Sequence, residues 1–198
     1  MGVIGLTGTI GSGKSTVSGY LRSLGAVIVD ADEISRSLTA PGGKALIKIR
    51  ESFGDKVFSG DALDRKALAG EVFSDKEKLQ KLNSILHPLI FEQMFLEINE
   101  AVNGGAKHVI ADVPLLFETG FEKHCDEIWL VCTDEKTQLE RIVKRDNCTE
   151  DDAKARIANQ MPVSEKMKKS DRLIDNSGDL DSLFKQVENL WQSINEKM

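Results

Sequence analysis

Cysteine is scarce in this sequence, because the 198-residue chain has only Cys125, Cys132 and Cys148. They are isolated and odd in number, so neither a disulfide framework nor a structural zinc site is expected, and a reducing compartment suits them. The sequence also lacks an apolar run of about 18 residues and a cationic leader before its first apolar segment. These absences predict a cytoplasmic protein that does not use a membrane as a partner.

Positive charge is also in deficit, since 26 Lys and Arg face 32 Asp and Glu for a net charge of -6. This balance argues against a nucleic acid as a partner. The exception is the stretch 136–172, where 10 basic residues exceed 7 acidic ones. That stretch is either a solvated helical face or a basic flap over an anionic ligand, and composition alone does not choose between them.

The hydrophobic pattern alternates between two periods. Short, nearly continuous apolar runs are typical of strands buried on both faces, and the segments between them have helical spacing, as at Val17, Leu21 and Leu24. This alternation predicts an α/β fold with a five-stranded parallel sheet flanked by helices. The predicted strands are residues 3–7, 26–30, 108–112, 127–132 and 172–175.

Two connections are longer than a simple crossover requires. We therefore predict a single domain over residues 1–198, with its core in residues 1–32, 106–133 and 172–198. The first long connection, at about 33–105, is interpreted as a helical substrate-binding insertion with a turn near Gly60. The second, at about 134–171, is interpreted as a helical lid that contains the basic stretch.

The most specific motif is GTIGSGKS, which lies between the first predicted strand and a predicted helix. It matches the phosphate-binding loop G-x-x-x-x-G-K-[ST], whose backbone N–H groups and following helix N-terminus surround phosphate oxygens. Lys14 can reach the β and γ phosphates, and the Ser15 hydroxyl can join a Mg²⁺ shell. The motif predicts a bound nucleoside triphosphate, with contacts from Gly8, Gly11, Ser12, Gly13, Lys14, Ser15 and Thr16.

Aspartates end two of the predicted strands. Because successive residues of a strand alternate faces, Asp30 and Asp32 at the end of the second predicted strand point to the same side at the ligand-binding edge. One of the two carboxylates could accept a proton from an attacking hydroxyl or help hold Mg²⁺, and Asp32 is alternatively the N-cap of the next helix. Asp112 ends the third run and resembles the acidic residue that holds Mg²⁺, directly or through water.

The basic stretch and one histidine offer further candidates. Arg141 and Arg145 are four residues apart and share a helical face, so they either bind triphosphate oxygens together or pair with Glu140 or Asp146. His87, which precedes Pro88, is a single histidine, and the residues alone favour a structural role for it.

Taken together and in this order, these residues resemble the dephospho-CoA kinase family. The resemblance extends from residue 4 to about residue 178, and the set DAD, LDR, HP and DVPLLFE is more specific than the phosphate loop alone. Thr9 departs from the family pattern, which usually has a second glycine there. The segments that carry the resemblance begin at Gly5, Gly11, Asp30, Leu63, His87, Asp112, Gln138, Arg145, Arg156 and Asp175.

The resemblance implies ATP-dependent phosphorylation of the ribose 3′-hydroxyl of dephospho-CoA, with Mg²⁺ as cofactor, and we expect a monomer or a weak homo-oligomer. It implies Asp32, Lys14 and Arg141 as catalytic residues and Ser15 and Asp112 as metal-proximal residues. On the nucleotide it implies Arg141, Arg145 and, near the adenine, Asn176. On the acceptor side it implies Asp32, Arg36, Arg65, His87 and Leu115.

Two other functions share some of these sequence features. A kinase for another small hydroxyl or nucleoside monophosphate acceptor would have the same sheet, insertion and lid. A GTP-dependent switch is disfavoured, because the sequence has no Asn-Lys pair for an N-K-x-D motif and its D-x-x-G, at Asp175–Gly178, lies far from the phosphate loop.

Overall fold

A five-stranded parallel sheet organises the protein, whose computed structural model describes residues 2–72 and 75–196. In chain order its strands are β1 (Gly2–Gly8), β2 (Val27–Asp30), β3 (His108–Asp112), β4 (Glu127–Cys132) and β5 (Arg172–Asp175). Their spatial order is β2-β3-β1-β4-β5. The predicted fold class is confirmed, and each predicted strand lies within one residue of an observed one.

The central strand β1 pairs with β3 on one side and with β4 on the other. Leu6 lies opposite both Asp112 and Trp129 in these registers, and Gly8 lies opposite Val131. Residues 109–111 of β3 and 129–131 of β4 are completely buried, which explains their continuous hydrophobicity. Because the strand order reverses at β1, the crevice that binds ligands in such sheets opens at its carboxyl end.

The helices occupy the connections between strands. In chain order they are α1 (Lys14–Ser23), α2 (Ala31–Leu38), α3 (Leu46–Phe53), α4 (Arg65–Val72), α5 (Lys76–Asn103), α6 (Leu116–Thr119), α7 (Glu135–Asp146), α8 (Glu150–Ala158), α9 (Val163–Lys168) and α10 (Leu180–Glu196). None of these helices, which cover the described part of the chain, combines the length and apolarity of a membrane span.

The chain divides into two compact units, and the first comprises the residues up to Val29 together with those from Ile98 onward. Its core packs α1 and α10 against the sheet around the fully buried Trp129. Tyr20 of α1 stacks on Phe184 of α10 with ring centroids 4.0 Å apart, and Trp191 of α10 packs against the same core. The predicted lid corresponds to α7, α8 and α9 of this unit, and its closure stays a prediction.

The second compact unit is Asp30–Glu97, which contains α2, α3, α4 and most of α5. Its buried residues include Ile34, Ile49 and Met94. Between α3 and α4 a short antiparallel hairpin pairs Phe58–Ser59 with Ala62–Leu63, an addition to the helical segment predicted there. This unit overlaps the insertion predicted at about 33–105, whose substrate-binding role stays a prediction.

Glu71 gives this second unit a pH-dependent contact. Hydrogen bonds from Lys56, whose Nζ lies 2.8 Å from Glu71 Oε1, and from Lys78 lower the pKa of Glu71 to about 2. A carboxylate with a lowered pKa stabilises the fold above its unfolded pKa of about 4.5 and loses that contribution as the pH falls toward 2.

We therefore expect Glu71→Gln to lower the free energy of unfolding near neutral pH, because the amide cannot form the ion pairs. The difference from wild type should shrink between about pH 4.5 and about pH 2. Urea unfolding followed by circular dichroism measures it, with the exposed Glu51→Gln as control. A difference that stayed constant over this pH range would contradict the assignment.

Candidate active site

The phosphate loop joins the carboxyl end of β1 to α1, as the sequence predicts. Within it, the backbone N–H of Ser12 donates to the carbonyl of Thr9 at 3.0 Å, which closes the turn. The loop therefore lies at the crevice where the strand order reverses, flanked by the ends of β3 and β4.

Helix α1 begins without a capping side chain. Its N-cap is Gly13, in the left-handed conformation with φ 84°, and no acidic residue lies in the first turn. A side chain at Gly13 would clash, because an ideal Cβ there would lie 2.1 Å from Asn176 Nδ2. The positive end of the helix dipole is thus left for an anionic ligand.

Lys14 and Asp112 form an ion pair beside the loop. Asp112 is only 1% exposed at the end of β3, and a carboxylate this deeply buried needs a cationic partner to remain ionised. The carboxylate predicted to lie near a metal ion therefore already faces a cation.

The donors available for a metal ion are few. Among residues 2–72 and 75–196, no group of three or more His, Cys, Asp or Glu side chains could hold one. Mg²⁺ in phosphate sites typically takes one or two protein oxygens and completes its shell with phosphate oxygens and water. The exposed Ser15 hydroxyl and the Asp112 carboxylate fit that pattern.

Arg141 presents an unpaired donor to the loop. Within the described part of the chain, its Nη1 is buried and has no hydrogen-bond partner. An ideal Cβ on Gly13 would lie 3.7 Å from this nitrogen, which places the guanidinium beside the start of α1. The Ser12 hydroxyl is also buried without a described partner. Because unpaired buried donors are costly, both groups favour an anion at this position.

Arg145, one turn further along α7, is in a different environment. Its guanidinium binds Asp146 through Nε at 2.7 Å and Nη2 at 3.0 Å, and Arg156 of α8 binds the same carboxylate. Hydrogen bonding to Arg145 lowers the pKa of Asp146. Arg141 and Arg145, which the sequence analysis considered together, therefore lie in different environments. Arg145 forms the ion pair with Asp146 that the sequence analysis gave as the alternative to binding triphosphate.

Three carboxamides hold the backbone of the loop. Asn176, after β5, is 4% exposed and donates through Nδ2 to the carbonyl of Ser12 at 2.7 Å. Gln138 of α7 and Gln160, which follows α8, bind the carbonyl and the N–H of Ile10. Sequence reasoning assigned no role to the two glutamines, and the role of Asn176 near the adenine stays a prediction.

The interpretation of the Asp30–Asp32 segment needs two corrections. The strand ends at Asp30, so Asp32 lies in the first turn of α2 and the two carboxylates do not share a strand face. Asp30, not Asp32, is the N-cap, because its Oδ1 accepts from the N–H groups of Asp32 at 2.8 Å and Glu33 at 3.0 Å. Asp32 is exposed, and its carboxylate is not used for capping.

The predicted acceptor-side residues of the second unit lie on three helices. Arg65 of α4 donates to Thr39 Oγ1 at 2.8 Å and to the carbonyl of Arg36 at 3.3 Å, which brings it to the end of α2. Asp32 and Arg36, four residues apart, share a face of α2. His87 of α5 is half-buried, and burial lowers its pKa.

Two further residues lie in the sheet unit, after β3. Leu115, predicted on the acceptor side, immediately precedes α6 and is 41% exposed. Glu118 of α6 pairs with Lys166 of α9, whose fully buried Nζ lies 2.9 Å from Glu118 Oε1. The sequence did not predict this pair, because a lysine in a basic stretch is normally exposed.

The strand order and the phosphate loop define a P-loop fold of the kind found in P-loop kinases. The Dephospho-CoA kinase family model matches residues 2–182. A dephospho-CoA kinase of Carboxydothermus hydrogenoformans is 43% identical over 191 residues, which cover 96% of this chain and 93% of the relative. The chain belongs to the dephospho-CoA kinase family.

Two solved structures are similar to this chain over nearly its whole length. The crystal structure of a Thermus thermophilus protein has a TM-score of 0.83 at 33% identity, with 96% of both chains covered. The dephospho-CoA kinase from Campylobacter jejuni has a TM-score of 0.76 at 27% identity, covering 99% of this chain and 98% of that one.

Proposed function

We propose that the protein transfers the γ-phosphoryl group of ATP to the ribose 3′-hydroxyl of dephospho-CoA, which gives coenzyme A. Membership of the dephospho-CoA kinase family supports this reaction, because the match to the family covers the sheet, the insertion and the lid. The observation that carries the proposal is the convergence of Lys14 and the unpaired Arg141 nitrogen on the phosphate loop.

On the nucleotide side, the residues act by binding and by electrostatic stabilisation. The N–H groups at the start of α1 and the Lys14 ammonium are suited to the β and γ phosphates, with contacts from Gly8, Gly11, Ser12, Gly13, Ser15 and Thr16. The guanidinium of Arg141 supplies a donor that is already desolvated, so it can stabilise charge on the transferring group without further loss of hydration.

Ser15 and Asp112 are the residues that would hold Mg²⁺, directly or through water. An ion held there would supply positive charge that offsets the charge of the phosphate oxygens. Asp112 also pairs with the Lys14 ammonium and holds it at the loop.

On the acceptor side, we assign Asp32 to the ribose 3′-hydroxyl. A hydroxyl is a poor nucleophile, and a carboxylate that accepts its hydrogen bond can orient it and take up its proton. Because capping of α2 is performed by Asp30, the Asp32 carboxylate is available for this role. Arg36, Arg65, His87 and Leu115 are assigned to the rest of dephospho-CoA.

Mixing the purified protein with ATP, Mg²⁺ and dephospho-CoA tests the proposal. We expect a product that carries a new phosphate monoester on the ribose 3′-oxygen, identified by mass spectrometry and phosphorus NMR. Nucleoside monophosphates and other small alcohols serve as competing acceptors in the same assay. Faster transfer to one of those acceptors would show that dephospho-CoA is not the preferred acceptor, while phosphoryl transfer from ATP would still be the reaction.

Asp32→Asn should lower kcat by about 10²–10⁴, which is equivalent to roughly 3–5 kcal/mol of barrier. The melting temperature should stay close to that of wild type, because Asp30 caps the helix. Steady-state kinetics and thermal unfolding measure the two effects.

Asp30→Asn is the matched control for this substitution. Asparagine is itself a good N-cap, so α2 should remain capped and the fall in kcat should be smaller. If Asp30→Asn proved the more damaging of the two, the assignment of the base to Asp32 would be wrong.

Arg141→Ala should weaken ATP binding and lower kcat by about 10²–10³, because it removes a buried donor beside the loop. Arg145→Ala should have a smaller effect, since its charge is already paired with Asp146. Dephospho-CoA binding measured without ATP should not change in either variant. Equal losses in the two variants would show that Arg145 leaves Asp146 to bind the nucleotide.

A further inference from the structure

One residue of the phosphate loop is bound at both of its backbone polar groups by glutamines from the predicted lid. Gln138 Nε2 donates to the carbonyl of Ile10 at 2.7 Å, and Gln160 Oε1 accepts from the N–H of Ile10 at 2.8 Å. We propose that Gln138 and Gln160 are positioning residues for ATP, which hold the phosphate loop in its anion-binding form. The inference rests on the proposed function in that ATP is the ligand of the loop.

The chemistry of Ile10 fixes the role of each carboxamide. A backbone N–H can only donate, so Gln160 must present its oxygen, and a backbone carbonyl can only accept, so Gln138 must present its NH₂ group. The two glutamines are therefore not interchangeable. Gln138 is buried, with 7% of its surface exposed, so loss of its amide would leave the Ile10 carbonyl short of a partner.

Helix α7 is packed directly against the loop beside this contact. Gly11 has φ 77°, and an ideal Cβ on it would lie 2.9 Å from Ile142 Cγ1 and 3.0 Å from the carbonyl oxygen of Gln138. Gln138, Arg141 and Ile142 are three and four residues apart, so they share one face of α7. The helix that holds Ile10 is thus the helix that aims Arg141 at Gly13.

The second glutamine attaches the end of α8 to the same point. Gln160 follows α8 by two residues, and α8 is joined to α7 by the Arg156–Asp146 ion pair. The next residue, Met161, donates its N–H to Glu118 at 3.1 Å. The two contacts to Ile10 therefore come from elements that are themselves linked, which restricts the loop from two directions.

Glutamate substitutions separate this role from a merely structural one. Gln160→Glu keeps an oxygen acceptor for the Ile10 N–H, whereas Gln138→Glu replaces the donor with a carboxylate that faces a carbonyl. Both add the same negative charge next to Ile10, so the charge itself cancels in the comparison. We expect the ATP Kd of Gln138→Glu to exceed that of Gln160→Glu by about 10-fold.

Methionine substitutions remove each hydrogen bond at nearly constant volume. Gln138→Met and Gln160→Met should each raise the ATP Kd by about 3–10-fold. The dephospho-CoA Kd and the melting temperature should change little. Gln93→Met is the control, because Gln93 donates to Glu97 of α5 at 3.0 Å, within the second unit.

Direct titration with a non-hydrolysable ATP analogue gives these constants without turnover. Equal analogue affinity for the two glutamate variants, or wild-type affinity in both methionine variants, would overturn the proposal. A lower melting temperature with unchanged affinity would do the same. The titration needs no acceptor, so it tests the two glutamines independently of dephospho-CoA. If the titration gave the expected result but the dephospho-CoA assay gave no product, only the proposed function would be overturned.

Discussion

A loop that binds anions through its own backbone has little left with which to hold its shape. In the phosphate loop here, close packing excludes side chains at Gly11 and Gly13. Its backbone is therefore fixed from outside, by Asn176 at Ser12 and by two glutamines at Ile10. The sheet order, which sets β4 next to β1 and β5 next to β4, brings these distant residues to the loop.

Positive charge near the phosphate loop comes from a small number of side chains. The chain carries a net charge of -6, yet its ligand is a polyphosphate, so the positive charge at the loop must be local. Lys14 is held there by the buried Asp112, and Arg141 keeps one nitrogen unpaired. Arg145 and Arg156 instead both pair with Asp146, whose single negative charge offsets one of their two positive charges. The field that an incoming nucleotide meets thus depends on a few positions and not on overall basicity.

The sequence predicted the features that depend on neighbouring residues. Buried parallel strands form continuous apolar runs, and the phosphate loop is a contiguous motif, so both were located to within a residue. The error at Asp32 arose because the strand period was continued past Asp30, where the chain turns into α2. The contacts of Ile10 span 128 and 150 residues of chain and have no local signal. The burial of Lys166 could not be predicted from the sequence either, because its partner Glu118 is distant along the chain.

The distribution of aromatic residues between the two units has an experimental consequence. Trp129 and Trp191 lie with the core of the sheet, and Tyr20 lies on α1, whereas Asp30–Glu97 contains neither tryptophan nor tyrosine. Intrinsic fluorescence therefore reports on the sheet unit alone. If only Asp30–Glu97 unfolded, the helical circular dichroism signal would fall. The fluorescence of tryptophan and tyrosine would not report this event, because these residues all lie in the other unit. A tryptophan in place of a phenylalanine such as Phe53 would make that unit visible by itself.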